Sequence, residues 1–232
     1  MQICITVSLT SRHNSKDRAE LSMVINREQE DRQMKFQYIA IEREYGSGGR
    51  EIARRLSEIT GIPCYGREII EAVSKEQNIS ISQIDHYEES VTNSFLYTIF
   101  ALGKALSGDS DMLTKEGHIF VAEQKAIRQM AEKGPAVFVG HCAAEALKSN
   151  QGLLRVFIRS CMEEKRKRII EEYKIPENKV ESTIHKFDHK RANYYYANTA
   201  KKWIDFNNYD LILDSGTLGV DGCISALKGF LQ

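Results

Sequence analysis

A glycine-rich turn follows the apolar run Tyr38–Ile41 of this sequence. The turn, Gly46–Gly49, leads into a segment whose apolar residues have the spacing of one helix face: Ile52, Ala53, Leu56 and Ile59. Gly61 and Pro63 are typical of a helix end. A strand, a glycine turn and a helix in this order leave unpaired backbone N–H groups at the positive end of the helix dipole, where a phosphate can bind. The turn therefore favours an α/β fold with an anion site.

The side chains around the turn differ from those of the usual phosphate loop, GxxxxGK[ST]. Arg43 stands at the position of the first glycine, Gly49 at that of the lysine and Arg50 at that of the Ser/Thr. One interpretation is a tight turn that only joins a strand to a helix. The other is a phosphate loop in which Arg43 and Arg50 supply the missing cation, since a guanidinium can hold phosphate oxygens bidentately.

The phosphate-loop interpretation assigns nucleotide binding to the turn and its flanks: Arg43, Gly46, Ser47, Gly48, Gly49, Arg50 and Glu51. Ser47 offers a hydroxyl close to the helix start. Glu51 lies in the first turn, where a carboxylate suits the helix dipole but repels phosphate. These two side chains are the candidates to hold Mg²⁺, directly or through water.

Strands and helices alternate along the rest of the chain. Further strands are predicted at Ile62–Tyr65, Ala136–Gly140, Leu153–Ile158 and Tyr209–Leu213. Helices are predicted over Arg67–Gln77, 79–110, His118–Lys133, Met162–Tyr173, 177–202 and Val220–Leu231. This order predicts right-handed βαβ units and a parallel sheet, in which ligands bind at the carboxyl ends of the strands. The glycine turn, His141 and Arg159 all fall at such ends.

The composition argues against two classes of protein, broad nucleic-acid binders and membrane-spanning proteins. The chain has 232 residues, 32 Lys+Arg and 32 Asp+Glu, so its formal net charge is zero. Broad nucleic-acid binding needs a basic surface and is not expected. Five scattered cysteines without a CxxC pair predict a reducing, cytoplasmic setting. No run approaches the roughly 18 apolar residues of a membrane span.

The first 35 residues are expected to be a poorly structured extension that precedes a single domain, 36–232. The first ten residues lack the basic start and the cleavage site of a signal peptide. Residues 1–33 are interpreted as poorly ordered or as the product of a misassigned start codon. The alternative is an added edge strand over Ile3–Leu9.

The sequence resembles the cytidylate kinase-like family, a branch of the P-loop nucleoside-monophosphate kinases. The likeness begins with Ile41–Ile52, the string that contains REYGSGGRE. It continues through Gly61–Pro63, Phe138–Gly140, Asp188, Arg191–Tyr195, Lys202-Trp203 and Asn208–Leu211, and covers about residues 36–232. It implies a three-layer αβα fold with a five-stranded parallel sheet, a helical acceptor region (about 67–133) and a helical lid (about 177–205). It also implies transfer of the ATP γ-phosphoryl group to CMP or dCMP, with Mg²⁺.

The resemblance also implies roles for particular side chains. Asp188 and Arg191 stand three residues apart, and the family uses such a pair for acceptor recognition and phosphoryl transfer. Arg191 is the candidate transition-state arginine, and Arg50 is a further catalytic candidate. The alternative for Asp188 and Arg191 is a surface ion pair. Tyr194, Tyr195 and Tyr196 either stack on a base or pack the lid.

Two further arginines are candidate acceptor ligands. Arg166 and Lys165 interrupt an apolar helix face, which suggests that Arg166 points towards a cleft; the alternative is a snorkelling side chain. Arg67 opens a helix and can meet the acceptor phosphate, or it is only a solvated residue at the helix start.

The sequence departs from the family pattern at two positions. His141 stands where relatives have an arginine that contacts the acceptor phosphate, and Gly66 stands where an Asp usually precedes Arg67. A neutral imidazole is a poorer phosphate partner than a guanidinium, so both changes leave the identity of the acceptor open. No histidine has zinc-ligand spacing.

Three functions remain open on the sequence. The first is a nucleoside-monophosphate kinase, and the second is a non-catalytic module that binds or senses a nucleotide. The third is a phosphotransferase with another small acceptor. The helical block 79–133 carries enough apolar surface for a homodimer interface, but packing inside the core explains that surface equally well.

Overall fold

The computed structural model describes residues 36–84 and 115–231. All of these residues belong to one compact unit, Lys35–Leu231. The N-terminal extension, the edge strand at Ile3–Leu9 and most of the helical block that suggested a dimer lie outside the described residues. Within the described ranges, no helix is both long and apolar enough to cross a membrane.

The described residues form a parallel sheet of five strands in the order β2-β3-β1-β4-β5. The strands are β1 (Tyr38–Arg43), β2 (Cys64–Tyr65), β3 (Ala136–Val139), β4 (Leu153–Arg159) and β5 (Leu211–Asp214). Ile41 of β1 is in register with Val139 of β3 and with Val156 of β4. The predicted α/β class and parallel sheet are confirmed, and β1 lies at the centre with its carboxyl end leading into the glycine turn.

Helices cover both faces of this sheet. Among the described residues they include α1 (Gly49–Thr60), α2 (Arg67–Gln77), α3 (Lys115–Ala131), α4 (Ala143–Ala146), α5 (Met162–Glu171), α6 (Val180–Thr199) and α7 (Ser215–Lys228). Ala40 and Phe138 pack in one cluster with residues of α2 and α3 such as Ile69 and Ile127. Since side chains alternate along a strand, Ile39 and Ile41 face the opposite side. There α1 and α7 pack against each other, α1 on β1 and β3 and α7 on β4 and β5.

The predicted helix after the glycine turn has the expected limits. Gly48 precedes it at φ 75°, and Gly61 ends it at φ 73°. Positive φ strains any residue with a Cβ, which explains glycine at both ends. Ile52 and Leu56 are buried, but Ile59, predicted on the same face, is 54% exposed in the last turn.

Two later helices show details that the sequence pattern did not give. The segment 177–202, predicted as one or two helices, is a short 3₁₀ turn, Glu177–Lys179, followed by the single helix α6. Helix α7 begins at Ser215 rather than Val220. The Asp214 carboxylate caps it by accepting from the N–H groups of Gly216 and Thr217, and the helix kinks at Gly219, with φ 68° and ψ 170°. Sequence periodicity missed this first turn because it is rich in glycine and small residues.

Candidate active site

The glycine turn is pressed tightly against α5. Gly46 and Gly48 have φ 78° and 75°. A Cβ on Gly46 would lie 2.9 Å from Ile169 Cδ1, and one on Gly48 would lie 3.0 Å from Arg168 Cζ. The Arg168 guanidinium also donates from Nη1 to the Gly46 carbonyl oxygen (2.9 Å). The glycines therefore serve two requirements, a left-handed backbone and close approach of a neighbouring helix.

Arg43 occupies the space that two glycines leave beside the end of β1. A Cβ on Gly49 would lie 2.6 Å from Arg43 Cβ, and one on Gly140 would lie 2.3 Å from Arg43 Nη1. Gly140 also has a positive φ of 79°. The Arg43 side chain thus passes between the two turns that follow β1 and β3, and it reaches a cavity on this side of the sheet.

This cavity has a volume of about 630 Å³ and is lined by four arginines. We call it the arginine cavity. Its lining includes Arg43, Arg50, Arg54, Arg67, Glu58, Glu68, Gly66 and His141. Arg54 pairs with Glu58 one turn along α1, and Arg67 Nε lies 3.3 Å from Glu71 Oε1 on α2. Both pairs are exposed, and exposed pairs are weak. The cavity therefore suits an anion, and the structure brings Arg43, Arg50, Arg67 and His141 together around it.

Asp188 and Arg191 of α6 contact the backbone just before the glycine turn. The Tyr45 N–H donates to Asp188 Oδ1 (2.6 Å), and Arg191 Nη1 donates to the Arg43 carbonyl oxygen (3.2 Å) and lies 3.4 Å from Asp188 Oδ1. Burial raises the pKa of the Asp188 carboxyl, against the opposing effects of the Tyr45 N–H and of Arg191. Burial likewise lowers the pKa of Arg191. The two side chains are therefore not a surface pair but a partly buried link from α6 to the turn.

Lys165 is buried beneath the same link. It is 5% exposed, and its Nζ lies 2.7 Å from Glu44 Oε2 and 3.9 Å from Asp188 Oδ2. Glu44 Oε2 also accepts from the Ser160 N–H (3.1 Å). We call Glu44, Lys165, Asp188 and Arg191 the loop cluster. Sequence reasoning missed Lys165 and Glu44, although the break in the apolar face of α5 was the signal for a buried cation.

Arg166 lies on the other side of α5. It pairs with Glu181, and its Nη1 lies 4.0 Å from Glu177 Oε1; both glutamates are exposed. It lies neither in the loop cluster nor along the arginine cavity. Successive helical residues point about 100° apart, so when Lys165 faces the core its neighbour faces solvent.

His141 lies at the wall of the arginine cavity in a left-handed turn. Its φ is 54°, and Cys142 follows at φ 50°. His141 Nδ1 lies 3.5 Å from Glu123 Oε1 on α3, and Glu123 is fully buried. The Tyr194 hydroxyl of α6 donates to the other Glu123 oxygen. Sequence reasoning did not find Glu123, because a glutamate in an amphipathic helix predicts a solvated residue.

The predicted magnesium ligands have other partners. Ser47 is fully buried, and its hydroxyl donates to the Glu44 carbonyl oxygen (2.8 Å). Glu51 Oε1 lies 3.8 Å from Arg55 Nη1. Among the described residues, no group of three His, Cys, Asp or Glu side chains is placed to hold a metal ion. These side chains therefore do not form a preformed Mg²⁺ site.

Comparisons with known proteins give a matching family and similar solved structures. The model of the cytidylate kinase-like family matches residues 38–217. The crystal structure of an uncharacterized protein from Eubacterium ventriosum ATCC 27560 is similar, with 26% identity and a TM-score of 0.62, covering 84% of this chain and 97% of that chain. Shikimate kinase from Bacteroides thetaiotaomicron is 12% identical, with a TM-score of 0.48 and coverage of 84% and 97%. No curated protein matches the sequence.

Proposed function

This chain belongs to the cytidylate kinase-like family, and from that premise we propose that it is a nucleoside-monophosphate kinase that transfers the γ-phosphoryl group of ATP to CMP or dCMP. Phosphoryl transfer needs few covalent steps from the protein. It depends on positioning the two phosphates and on neutralising the charge that develops between them.

The observation that carries the proposal is the arginine cavity next to the glycine turn. Arg43, Arg50 and Arg67 face a space of about 630 Å³, which is large enough for a small nucleotide. Arginine is well suited to phosphate because its planar fork holds two oxygens at once. We assign Arg67 and His141 to the acceptor, and Arg43 and Arg50 to the space between acceptor and donor.

The donor side of the proposal rests on the turn and α6. The backbone at Gly46–Gly49 and the start of α1 suit the phosphates of ATP, since N–H groups at a helix start attract anions. Arg191 contacts the Arg43 carbonyl oxygen at 3.2 Å, close to the turn, and we assign its guanidinium to the charge of the transferring group. Mg²⁺, when bound with ATP, shields the phosphate charge.

The experiment is ADP release from MgATP across a panel of acceptors. The panel contains CMP, dCMP, UMP, AMP, GMP and small hydroxy acids such as shikimate. We expect ADP release that depends on CMP or dCMP, with a turnover of at least roughly 1 s⁻¹, the low end for kinases.

Three other results contradict the proposal in different ways. ADP release with a non-nucleotide acceptor alone identifies a different phosphotransferase. ATP or CMP that raises the melting temperature without turnover identifies a nucleotide-binding module. No binding and no turnover with any member of the panel contradicts the proposed activity altogether.

A further inference from the structure

The arginine cavity is not lined by cations alone. Among the described residues, its lining also contains carboxylates and apolar side chains: Glu58, Glu68, Ile70, Ile81 and Val139. The Glu58 carboxylate is paired with Arg54 on α1. Glu68, at the start of α2, is therefore the carboxylate of this lining that is open to a ligand. A phosphate alone does not account for it, because two anions repel each other.

Glu68 is fixed through one of its two carboxylate oxygens. Its Oε2 accepts from the Gly66 N–H (2.9 Å) directly before α2, and the helix dipole favours a carboxylate in the first turn. In the part of the chain that the structure describes, Glu68 forms no ion pair. An ionised carboxylate offers about four lone-pair sites. The Glu68 side chain is therefore held in place and still has acceptor sites for the hydroxyl or N–H groups of a ligand.

Glu68 lies close to the site that we assign to the acceptor phosphate. Arg67 directly precedes it in the chain and lines the same cavity. Burial and the Glu68 carboxylate raise the pKa of the Cys64 thiol to about 11, and the Arg50 guanidinium opposes that shift. Glu68 and Arg50 therefore both lie near this thiol, which is neutral at pH 7. Glu68 thus belongs to the part of the cavity next to the arginines.

Apolar side chains continue the same wall. Ile70 lies one turn along α2 from Arg67, on the same helix face, and it lines the cavity together with Ile81. Apolar surface suits the faces of a base. The order along this wall is arginine, carboxylate and isoleucine, and the order along a nucleoside monophosphate is phosphate, ribose and base. This match places the ribose beside Glu68.

We propose that the Glu68 carboxylate binds the ribose of the acceptor by accepting hydrogen bonds from its 2′- and 3′-hydroxyl groups, so that the site selects CMP over dCMP. This inference rests on the proposed function for the identity of the acceptor, and it narrows that acceptor to a ribonucleotide. A carboxylate is the usual partner of a ribose hydroxyl in dinucleotide sites. A fully buried partner rejects a ligand without the hydroxyl by roughly 10⁴-fold. Glu68 is exposed, so we expect about tenfold, the effect of one charge-assisted hydrogen bond.

The first test measures the affinities of CMP and dCMP by calorimetry for the wild type, Glu68→Gln and Glu68→Ala. We expect the wild type to bind CMP about tenfold more tightly than dCMP, and Glu68→Ala to bind the two within about twofold of each other. Loss of the Glu68 charge should strengthen the binding of any phosphate, so the ratio of the two affinities is the readout. Glu68→Gln keeps an oxygen for the Gly66 N–H and should give an intermediate ratio. Glu76→Gln, on the same helix but paired with Lys125, is the matched control and should keep the wild-type ratio.

The second test distinguishes the ribose from the base by adding UMP. Contact with the ribose predicts that Glu68→Ala leaves the ratio of the CMP and UMP affinities unchanged. If that ratio collapses while the ratio for CMP and dCMP keeps its wild-type value, Glu68 contacts the base and the inference is overturned. Equal affinities for CMP and dCMP in the wild type also overturn it.

Ribose 5-phosphate and 2-deoxyribose 5-phosphate separate this inference from the proposed function, because their binding needs neither a base nor turnover. A preference for the ribose compound that Glu68→Ala loses, without ADP release from any nucleotide, would remove the kinase activity and keep the ribose site. ADP release with CMP and dCMP bound equally would keep the kinase activity and remove the ribose site. Failure of all four compounds to bind would overturn the inference as well.

Discussion

The two cation-rich regions of this protein are built in opposite ways. In the loop cluster, Lys165 is buried and pairs with two carboxylates, and Arg191 contacts a carbonyl oxygen and Asp188. In the arginine cavity, Arg54 and Arg67 pair only with exposed glutamates of their own helices. Both regions lie at the carboxyl edge of the same sheet.

This difference indicates that the loop cluster holds the backbone in place, whereas the arginine cavity is suited to binding a ligand. A buried ion pair depends on each partner, because removal of one partner leaves an uncompensated charge. An exposed pair contributes little and exchanges its partner readily. Substitutions in the loop cluster should therefore change folding as well as activity, whereas those of the exposed cavity arginines Arg50, Arg54 and Arg67 should change ligand binding alone.

The largest effect is expected at Arg191, the member of the loop cluster to which we also assign a role in phosphoryl transfer. On the proposed function, Arg191→Ala should lower kcat about 10³-fold, since an arginine that stabilises the transferring group contributes 10³–10⁵. Steady-state ADP release with CMP measures it. Lys186→Ala, a substitution of an exposed residue on the same helix, is the control. A fall of less than tenfold would mean that Arg191 only ties α6 to the turn.

Lys165→Met tests the structural half of the comparison. It leaves Glu44 and Asp188 facing each other without their shared cation, and we expect a loss of about 3 kcal/mol in the free energy of unfolding. Urea denaturation measures the change. Lys167→Met, an exposed lysine two residues along α5, should be close to neutral. Equal stability of the two variants would contradict the description of Lys165 as a buried pair.

Arg50→Ala tests the cavity. This exposed side chain faces the cavity, so we expect kcat/KM for the acceptor to fall about tenfold, the size of one lost charge-assisted contact, with no change in melting temperature. Arg55→Ala is the matched variant, because Arg55 lies on α1 and pairs with Asp221 and Glu51. A drop in stability with unchanged kinetics would place Arg50 with the structural cations instead.

Asp188 adds a smaller, pH-dependent effect. Burial raises the pKa of its carboxyl, so folding disfavours the carboxylate. Its favourable contribution is present below the unfolded pKa of about 3.9 and is lost as the pH rises through the folded pKa. The unfolding free energy of Asp188→Asn, relative to the wild type, should therefore rise between pH 4 and pH 7. If the unfolding free energy of Asp188→Asn relative to the wild type falls over this interval, the predicted sign is wrong. Asp221→Asn, at an exposed position, is the control.

Arg166 should give the smallest effect. Its assignment to the acceptor predicts a clear rise in KM in Arg166→Ala. Its location beside Glu177 and Glu181, outside the arginine cavity, predicts a change of less than about twofold, as for most exposed pairs. The KM for CMP decides between them.

Much of the fold follows from local sequence. The α1 limits follow from Gly48 and Gly61, because few other residues adopt positive φ without strain. The central strands follow from short apolar runs followed by turns. The start of α7 was missed because its first residues, Ser215–Gly219, are mostly glycine and small polar residues, so that no apolar period marks the turn.

The candidate site also has one part that the sequence predicted and another part that it did not. The sequence by itself determined the strand, turn and helix around Gly46–Gly49 and the arginines that flank the turn, because those depend on backbone conformation and neighbouring residues. Only the tertiary structure decided that Lys165 rather than Arg166 is buried and that Glu123 lies behind His141. The reason is that burial and charge pairing depend on which helix face meets the sheet, and contacts between segments far apart in the chain settle that choice.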